Sequence, residues 1–208
     1  MHLAMLDAYM RRRIDPPLDH LGARLAAAGV RADAVTLAGF AVGLTAIPLV
    51  AVGWTWAALG ALLINRLADG LDGAVARHDR LTDLGGYLDI VCDFLIYAGI
   101  PVGFAVLDPQ ANALAAAVLL FSFMGTGSSF LTYAIIAAKR GETTEIRGRK
   151  SLYYLGGLTE GTETLAFLAA ICVFPQAFVP LAYLFAAACW ITTVSRMLAA
   201  VRAFGETR

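Results

Sequence analysis

Residues 112–138 read NALAAAVLLFSFMGTGSSFLTYAIIAA and contain no charged side chain. A membrane-spanning helix needs roughly 20 predominantly apolar residues, so this stretch is long enough to cross a bilayer. The whole chain has 208 residues, of which 59% are hydrophobic and 15% are charged, whereas a soluble domain is about 25% charged. Lys plus Arg and Asp plus Glu both number 16, and this balance disfavours a nucleic-acid-binding protein. The sequence therefore predicts an integral membrane protein.

The hydropathy pattern predicts an all-α fold with six transmembrane helices. We expect a cytoplasmic or interfacial segment over residues 1–34 and a six-helix transmembrane domain over 35–208. Within the first segment, leucines at helical spacing predict an amphipathic helix over 16–28 that lies on the membrane surface; a helix facing only solvent is the alternative. The spans are expected at about 35–54, 56–76, 84–107, 112–138, 153–174 and 178–203.

The basic residues predict the orientation of these spans. Of the 16 Lys and Arg residues, 15 fall on the side of the membrane that also holds both termini. The short loops between spans one and two, three and four, and five and six contain none. By the positive-inside rule, both termini are expected in the cytoplasm.

Acidic side chains inside the predicted spans mark the candidate site. A carboxylate in hydrocarbon is costly unless it is paired or bound to a cation, so such residues are functional candidates. Arg66 is the one basic residue well inside a span, and it cannot neutralise all the acids by itself. The six acids are Asp69, Asp72, Asp89, Asp93, Glu160 and Glu163.

The spacing of the four aspartates indicates the chemistry. Asp69 and Asp72 are three residues apart, and Asp89 and Asp93 are four apart, so each pair shares a helix face. We expect the two faces to meet near the cytoplasmic interface, where ionised carboxylates would repel one another. Mg²⁺ binds carboxylate oxygens together with substrate phosphate oxygens. These residues therefore predict metal-assisted phosphoryl or pyrophosphate chemistry on a substrate that enters from the lipid.

Residues 69–77 read DGLDGAVAR, and after seven further residues Gly85, Asp89 and Asp93 follow at intervals of four. This pattern resembles the signature of the CDP-alcohol phosphotransferase family, DxxDGxxAR…GxxxDxxxD, without departures. The resemblance implies a multi-pass enzyme of the bacterial inner membrane, forming a homodimer, with its active site near the cytoplasmic face. The expected reaction moves the phosphatidyl group of CDP-diacylglycerol to the hydroxyl of a small polar alcohol and releases CMP.

The resemblance also implies a role for each matching residue. Asp69, Asp72 and Asp89 would hold divalent cations, Mg²⁺ or Mn²⁺, two ions being expected. Asp93 would complete this metal site and act as the general base. The positions implied to contact the cytidine nucleotide are Gly73, Ala76, Arg77, Gly85 and, from a weakened form of the family's entry to the first span, Thr36.

Two sets of residues are candidates for binding the acceptor alcohol. Glu160 and Glu163 could recognise a cationic head group, or they could pair with Arg66 or Arg196. A phosphorylated acceptor could instead be bound by basic residues, among which Arg196, inside the last span, is the strongest candidate; the others are Lys139, Arg149 and Lys150. The sequence leaves the choice between a cationic and an anionic acceptor open.

Two other functions use intramembrane acids. An intramembrane prenyltransferase also binds Mg²⁺ through aspartates, but six spans are too few for that group, and its aspartate spacing differs from that of Asp69 and Asp72. A cation transporter would place polar residues near the midplane and on the far side, whereas these aspartates cluster at one end. Both remain alternatives to the transferase.

Overall fold

A computed structural model describes residues 16–141 and 157–205 of the chain. Within these two ranges every regular element is helical. The first helix, α1, covers residues 16–27. The others are α2 (Ala32–Ala51), α3 (Thr55–His78), α4 (Asp83–Leu107), α5 (Pro109–Lys139), α6 (Gly161–Val173) and α7 (Phe178–Phe204), with a 3₁₀ turn at Pro175–Ala177 between the last two.

The all-helical prediction is confirmed, and a described helix overlaps each predicted span. Within the part of the chain that the structure describes, four helical stretches are long and apolar enough to cross a membrane: Ala32–Ala51, Asp83–Leu107, Pro109–Lys139 and Pro175–Phe204. Two predicted spans are not among these four. Helix α3 has 24 residues but carries the charged residues of the acidic motif, and α6 has 13 described residues. The start expected for the fifth span, at 153, lies outside the described residues. Six crossings, an interfacial role for α1 and a boundary after residue 34 stay predictions.

The described chain divides into two compact units. The first consists of residues 16–49 and 56–99, and the second of residues 50–55, 100–141 and 157–205. The first unit therefore contains α1, nearly all of α2 and α3, and the first two thirds of α4. All of the aspartates of the motif belong to this first unit.

Glycines bring the helices of the first unit into close contact. A methyl group added at Gly43 of α2 would lie 2.9 Å from both Asn65 Cγ and Ile96 Cδ1. One turn earlier, Gly39 packs directly against Ala68 of α3. Small residues spaced four apart allow helix backbones to approach closely in membrane proteins. This contact fixes the acidic stretch of α3 against α2.

Helix α1 docks on the C-terminal half of α3. Its Gly22 is buried against Ala74, and its Leu18 lies against Gly70, where an added methyl group would come within 3.0 Å of Leu18 Cδ1. Asp19, which lies between Leu18 and Gly22 in the sequence, accepts hydrogen bonds from Arg77. One face of α1 therefore packs against α3, the helix that carries the first part of the motif.

The second unit has an aromatic core. Phe104 and Phe178 stack with ring centroids 4.5 Å apart and planes inclined by 3°. Phe167 and Phe185 form a second stacked pair at 4.3 Å. Stacking of aromatic rings adds to the free energy gained by burying them. Arg196 of α7 also belongs to this unit.

Candidate active site

Helices α3 and α4 bring together the four aspartates of the motif, here called the acid cluster (Asp69, Asp72, Asp89 and Asp93). One carboxylate oxygen from each of Asp69, Asp89 and Asp93 lies within 4.8 Å of the other two. A small cavity is lined by all four members of the cluster together with Thr36, Asn65, Arg66 and Cys92. The convergence expected from the spacing of the aspartates is therefore present in the first unit.

Asp72 is the most buried member of the acid cluster, with a relative exposure of 7%. Its Oδ2 atom accepts a hydrogen bond of 2.5 Å from the hydroxyl of Thr36 on α2. The same hydroxyl is 3.2 Å from the carbonyl oxygen of Ala32. A threonine has one proton to donate, and the shorter contact to an acid is the stronger hydrogen bond. Thr36, expected to touch the nucleotide, is thus placed in the cavity as a partner of Asp72.

Arg66 is a site residue to which the sequence analysis assigned no role in the site. Its guanidinium forms a bidentate ion pair with Asp93, donating to Oδ2 at 2.9 Å and making a second, closer bond to Oδ1. Its Nη1 is also 3.6 Å from a carboxylate oxygen of Asp69, three residues further along α3. The i,i+3 spacing to Asp69 is visible in the sequence, but the pairing with Asp93 on another helix is not.

Tyr97 and Asn65 complete the surroundings of Arg66. Tyr97 lies one turn after Asp93, and its hydroxyl donates to Asp93 Oδ2 at 3.2 Å and accepts from Arg66 at 3.1 Å. Asn65 accepts from Arg66 Nε and Nη2 at 3.1 and 2.8 Å. The i,i+4 spacing of Asp93 and Tyr97 is the signal that could have identified this tyrosine.

The residues expected to contact the nucleotide lie beside or just beyond the acid cluster. Among the described residues, an added methyl group at Gly73 would meet only the flexible end of Arg77, at 3.7 Å, so this face of α3 is open to them. The Gly85 N–H donates to the hydroxyl of Thr82 at 3.0 Å, which caps the first turn of α4. Ala76 is half-buried. Contact of these residues with a nucleotide stays a prediction.

Arg77, the last residue of the DGLDGAVAR stretch, is bound by α1. Its Nε and Nη2 atoms donate to Asp19 Oδ1 at 3.3 and 3.2 Å, and His78 Nε2 lies 3.3 Å from Asp19 Oδ2. The hydrogen bonds from Arg77 hold the pKa of the Asp19 carboxyl below its usual value. The arginine expected at the nucleotide therefore has a carboxylate partner on α1.

In the second unit, Arg196 is buried in α7 with a relative exposure of 6%. Its Nη1 donates to the carbonyl oxygen of Thr126 at 3.1 Å, and its guanidinium lies 5.6 Å from the ring centroid of Phe130. Its Nε is buried and has no hydrogen-bond partner among the residues that the structure describes. A buried donor without a partner is costly and suggests a group that is absent from the protein alone.

The two glutamates considered for the acceptor form the N-terminal cap of α6. Glu160 accepts from the Gly157 N–H at 2.7 Å, and Glu163 accepts from the Glu160 N–H at 3.1 Å. Glu160 and Glu163 together make a capping box, which satisfies backbone donors at the helix start. Arg66, one of their expected partners, directs its donors to Asn65, Asp93 and Tyr97.

The remaining acceptor candidates are basic residues. Lys139 is exposed in the last turn of α5. Arg149 and Lys150 lie outside the described residues.

Comparison with known proteins gives a relative that matches nearly the whole chain. The inner membrane protein YnjF of Escherichia coli (strain K12) is 51% identical over 193 residues, which are 93% of this chain and 94% of that protein. The phosphatidylinositol phosphate synthase of Mycolicibacterium smegmatis is 30% identical over 182 residues, covering 82% of this chain and 74% of the relative.

A solved structure has the same fold. The crystal structure of Mycobacterium tuberculosis phosphatidylinositol phosphate synthase with CDP-DAG bound matches with a TM-score of 0.71 at 24% identity, over 88% of this chain and 93% of that one. The family model for CDP-alcohol phosphatidyltransferases matches residues 30–198. The chain therefore belongs to the CDP-alcohol phosphatidyltransferase family, whose members are transferases of substituted phosphate groups.

Proposed function

We propose that the chain transfers the phosphatidyl group of CDP-diacylglycerol to the hydroxyl of a small polar alcohol. The observation that carries this proposal is the acid cluster, because the complete family motif brings its four carboxylates around one cavity. The solved relative was crystallised with CDP-DAG, which supports a CDP-linked lipid as the donor. The acceptor oxygen would bond to the lipid-side phosphorus, the bond from that phosphorus to CMP would break, and CMP would leave.

Asp93 is the proposed general base. Its carboxylate would take the proton of the acceptor hydroxyl as the new phosphorus–oxygen bond forms. The bidentate contact with Arg66 fixes the plane of this carboxylate, so the proton-accepting oxygen has a defined direction. Orientation of this kind is a large part of catalysis by positioned groups.

The acid cluster is also the proposed divalent-cation site, for Mg²⁺ or Mn²⁺. Three carboxylate oxygens within 4.8 Å of one another form a hard oxygen donor set that suits either ion. Bound there, such an ion would neutralise charge on the pyrophosphate and on the transferring phosphorus. Asp69, Asp72 and Asp89 are the residues that would hold it, with Asp93 beside them.

The nucleotide would lie against the open side of α3. Gly73 and Ala76 present no bulky side chain there, and Gly85 lies in the first turn of α4. Arg77 and Thr36 are the proposed polar contacts of the nucleotide end. For Arg77 this would require exchange of its present partner, Asp19.

Arg196 makes a phosphorylated alcohol the favoured acceptor. Its buried guanidinium has an unused Nε donor among the described residues, and an acceptor phosphate would supply the missing partner. Lys139 and Arg149 are the secondary candidates. Glu160 and Glu163, each of which accepts a backbone hydrogen bond at the start of α6, are the candidates for binding an amino alcohol.

The setting proposed for this reaction is the bacterial inner membrane. The four helices suited to crossing a membrane and the inner membrane relative support a multi-pass protein. We propose six spans, both termini in the cytoplasm, α1 at the membrane surface and a homodimer. In this orientation CMP would leave into the cytoplasm while the lipid product stays in the bilayer.

The test is a transfer assay on the purified full-length chain in detergent. Radiolabelled CDP-diacylglycerol is incubated with Mg²⁺ and, in turn, with serine, choline, glycerol phosphate and inositol phosphate. CMP release with formation of a new lipid, abolished by EDTA, is expected for one phosphorylated acceptor. The absence of release with every alcohol would overturn the proposal.

Two further assays separate the remaining alternatives. Release of pyrophosphate from a prenyl pyrophosphate would identify a prenyltransferase. Cation flux in liposomes, without transfer, would identify a transporter.

A further inference from the structure

We propose that Thr192 of α7 is a positioning residue for the acceptor alcohol, because its hydroxyl holds residues 157–160 beside the guanidinium of Arg196. This segment, which leads into α6, is here called the acceptor loop. The inference rests on the proposed function, since it concerns how the arginine proposed to bind the acceptor phosphate is held. All of these residues belong to the second unit.

The hydroxyl of Thr192 is the point at which the acceptor loop is attached to α7. Thr192 has a relative exposure of 0%. Its Oγ1 atom accepts from the Leu158 and Thr159 N–H groups, both at 3.1 Å, and from the Thr159 hydroxyl at 3.0 Å. A hydroxyl has two acceptor positions and one proton, and this proton goes to the Ala188 carbonyl oxygen at 3.1 Å. One side chain of α7 therefore fixes two consecutive residues of the acceptor loop.

This attachment brings the backbone of the loop to Arg196. Arg196 follows Thr192 by four residues, so the two side chains lie on one face of α7. A methyl group added at Gly157 would overlap Thr192 Cγ2 and would lie 3.2 Å from Arg196 Nη2. Any side chain at position 157 would therefore separate the acceptor loop from the guanidinium.

The acceptor loop also brings a negative charge to Arg196. Glu160 Oε1 accepts from the Gly157 N–H at 2.7 Å, so this carboxylate is tied to the loop. Its charge interacts with that of the Arg196 guanidinium. Attraction between opposite charges falls as their separation grows. The position of the loop therefore sets how much of the positive charge of Arg196 is available to an incoming phosphate.

Helix α5 holds the guanidinium from another direction. Arg196 Nη1 donates to the Thr126 carbonyl oxygen at 3.1 Å, while Nη2 lies beside the loop. The Nε of Arg196 has no partner within residues 16–141 and 157–205. If the loop were released, the guanidinium could turn about its bond to Thr126 and misdirect Nε. A charge-assisted hydrogen bond to a phosphate depends on this direction.

The first experiment measures steady-state CMP release by the purified full-length chain, with CDP-diacylglycerol and either glycerol phosphate or inositol phosphate varied in turn. In Thr192→Val we expect the KM for the phosphorylated alcohol to rise by about three- to tenfold, the equivalent of one hydrogen bond. The KM for CDP-diacylglycerol should keep its wild-type value. Thr192→Ser keeps the hydroxyl and should restore the acceptor KM.

Thr193→Val is the matched control for Thr192→Val. The Thr193 hydroxyl is also buried and also donates one turn back along α7, to the Cys189 carbonyl oxygen at 2.9 Å. Its loss should change neither constant. Gly157→Ala displaces the loop from the other side and keeps the Thr192 hydroxyl, so it should raise the acceptor KM as Thr192→Val does.

The second experiment uses the wild type alone and needs no variant to fold. Hydrogen exchange is measured with saturating glycerol phosphate or inositol phosphate and without a CDP-linked lipid. We expect one of these alcohols to slow exchange at residues 157–160, because a phosphate bound at Arg196 would hold the loop against it. Choline, which has no phosphate, should leave this exchange unchanged.

An unchanged acceptor KM in a folded Thr192→Val protein would overturn the inference, and so would an equal rise in both KM values, which would assign Thr192 a structural role. CMP release from any alcohol without slower exchange at residues 157–160 would reject the inference and keep the proposed transfer. Slower exchange without CMP release would do the reverse. The absence of both would reject the inference and the proposed function together.

Discussion

Gly22 of α1 and Ala74 of α3 pack so closely that a methyl group added at position 22 would lie 2.7 Å from Ala74 Cβ and 2.8 Å from its carbonyl carbon. Ala74 is itself buried, two residues after Asp72. The helix expected at the membrane surface is therefore in direct contact with the stretch that carries the acid cluster.

We expect Gly22→Ala to destabilise the protein by about 1–3 kcal/mol, the usual cost of overpacking a tight contact. Gly60→Ala is the matched control, because an added methyl group at Gly60 of α3 meets none of the described residues within 4 Å and alanine favours helix over glycine. Unfolding in a graded series of SDS concentrations measures both. Equal stability of the two variants would show that α1 does not pack on α3 in this way.

The pairing of Asp19 with Arg77 predicts a pH dependence for the docking of α1. Because the pKa of Asp19 lies below its usual value of 3.8, the pairing stabilises the docked helix above that pH. It is lost as the pH falls through the lowered pKa. Hydrogen exchange, corrected for intrinsic rates, should show the protection of residues 16–27 falling on acidification. In Asp19→Asn, residues 16–27 should be less protected from exchange at neutral pH, and their protection should change less on acidification. The same protection as in the wild type at both pH values would show that the pairing of Asp19 with Arg77 does not stabilise the docked helix.

The hydrogen bond from Thr36 to Asp72 predicts that valine and serine at position 36 have different effects on the free energy of unfolding. Thr36→Val removes a donor to a buried carboxylate, whereas Thr36→Ser keeps the hydroxyl. We expect the valine variant to lose about 1.5–3 kcal/mol of unfolding free energy, the usual value for a hydrogen bond to a charged group. The serine variant should retain most of it. The measurement is the same SDS titration, and a serine variant as unstable as the valine variant would argue against the hydrogen bond.

Asp93→Asn should abolish turnover while binding of the CDP-linked lipid survives. The amide cannot accept the acceptor's proton, and loss of a general base costs about 10²–10⁴-fold in rate. CMP release measures turnover, and calorimetry with CDP-diacylglycerol in detergent measures binding. Tyr97→Phe is the control, because it removes a neighbouring hydrogen bond but keeps the carboxylate, and it should retain much of the activity. Full activity in Asp93→Asn would falsify the base assignment.

Features encoded by local sequence patterns could be predicted, whereas features that depend on contacts between distant residues could not. The spans follow from long apolar runs, and α4 and α7 begin and end within one residue of their expected bounds. The convergence of Asp69, Asp89 and Asp93 follows from helical periodicity within two adjacent helices. Both signals are local, so both can be derived from spacing.

The pairing of Arg66 with Asp93 joins residues 27 positions apart on different helices, and its geometry is set by how Gly39 and Gly43 let α2 approach α3. No spacing within one helix encodes that approach. The Glu160–Glu163 pair was ambiguous for another reason. Serine or threonine usually opens a capping box, so a glutamate in that position does not predict a cap, and the sequence leaves this pair open between a head-group site and an ion pair with Arg66 or Arg196.

Arg196 predicts a kinetic effect confined to the acceptor. The Nε of Arg196 has no partner within residues 16–141 and 157–205. If the guanidinium binds an acceptor phosphate, Arg196→Met keeps the volume but removes a charged hydrogen bond, worth about 1.5–3 kcal/mol. The KM for the phosphorylated alcohol should then rise by about tenfold or more, while the KM for CDP-diacylglycerol stays near the wild-type value. Arg202→Met, at an exposed position of the same helix, should change neither constant. Steady-state CMP release with each substrate varied in turn provides both values. An unchanged acceptor KM in a folded Arg196→Met protein would remove Arg196 from the acceptor site, and an equal rise in both constants would assign it a structural role.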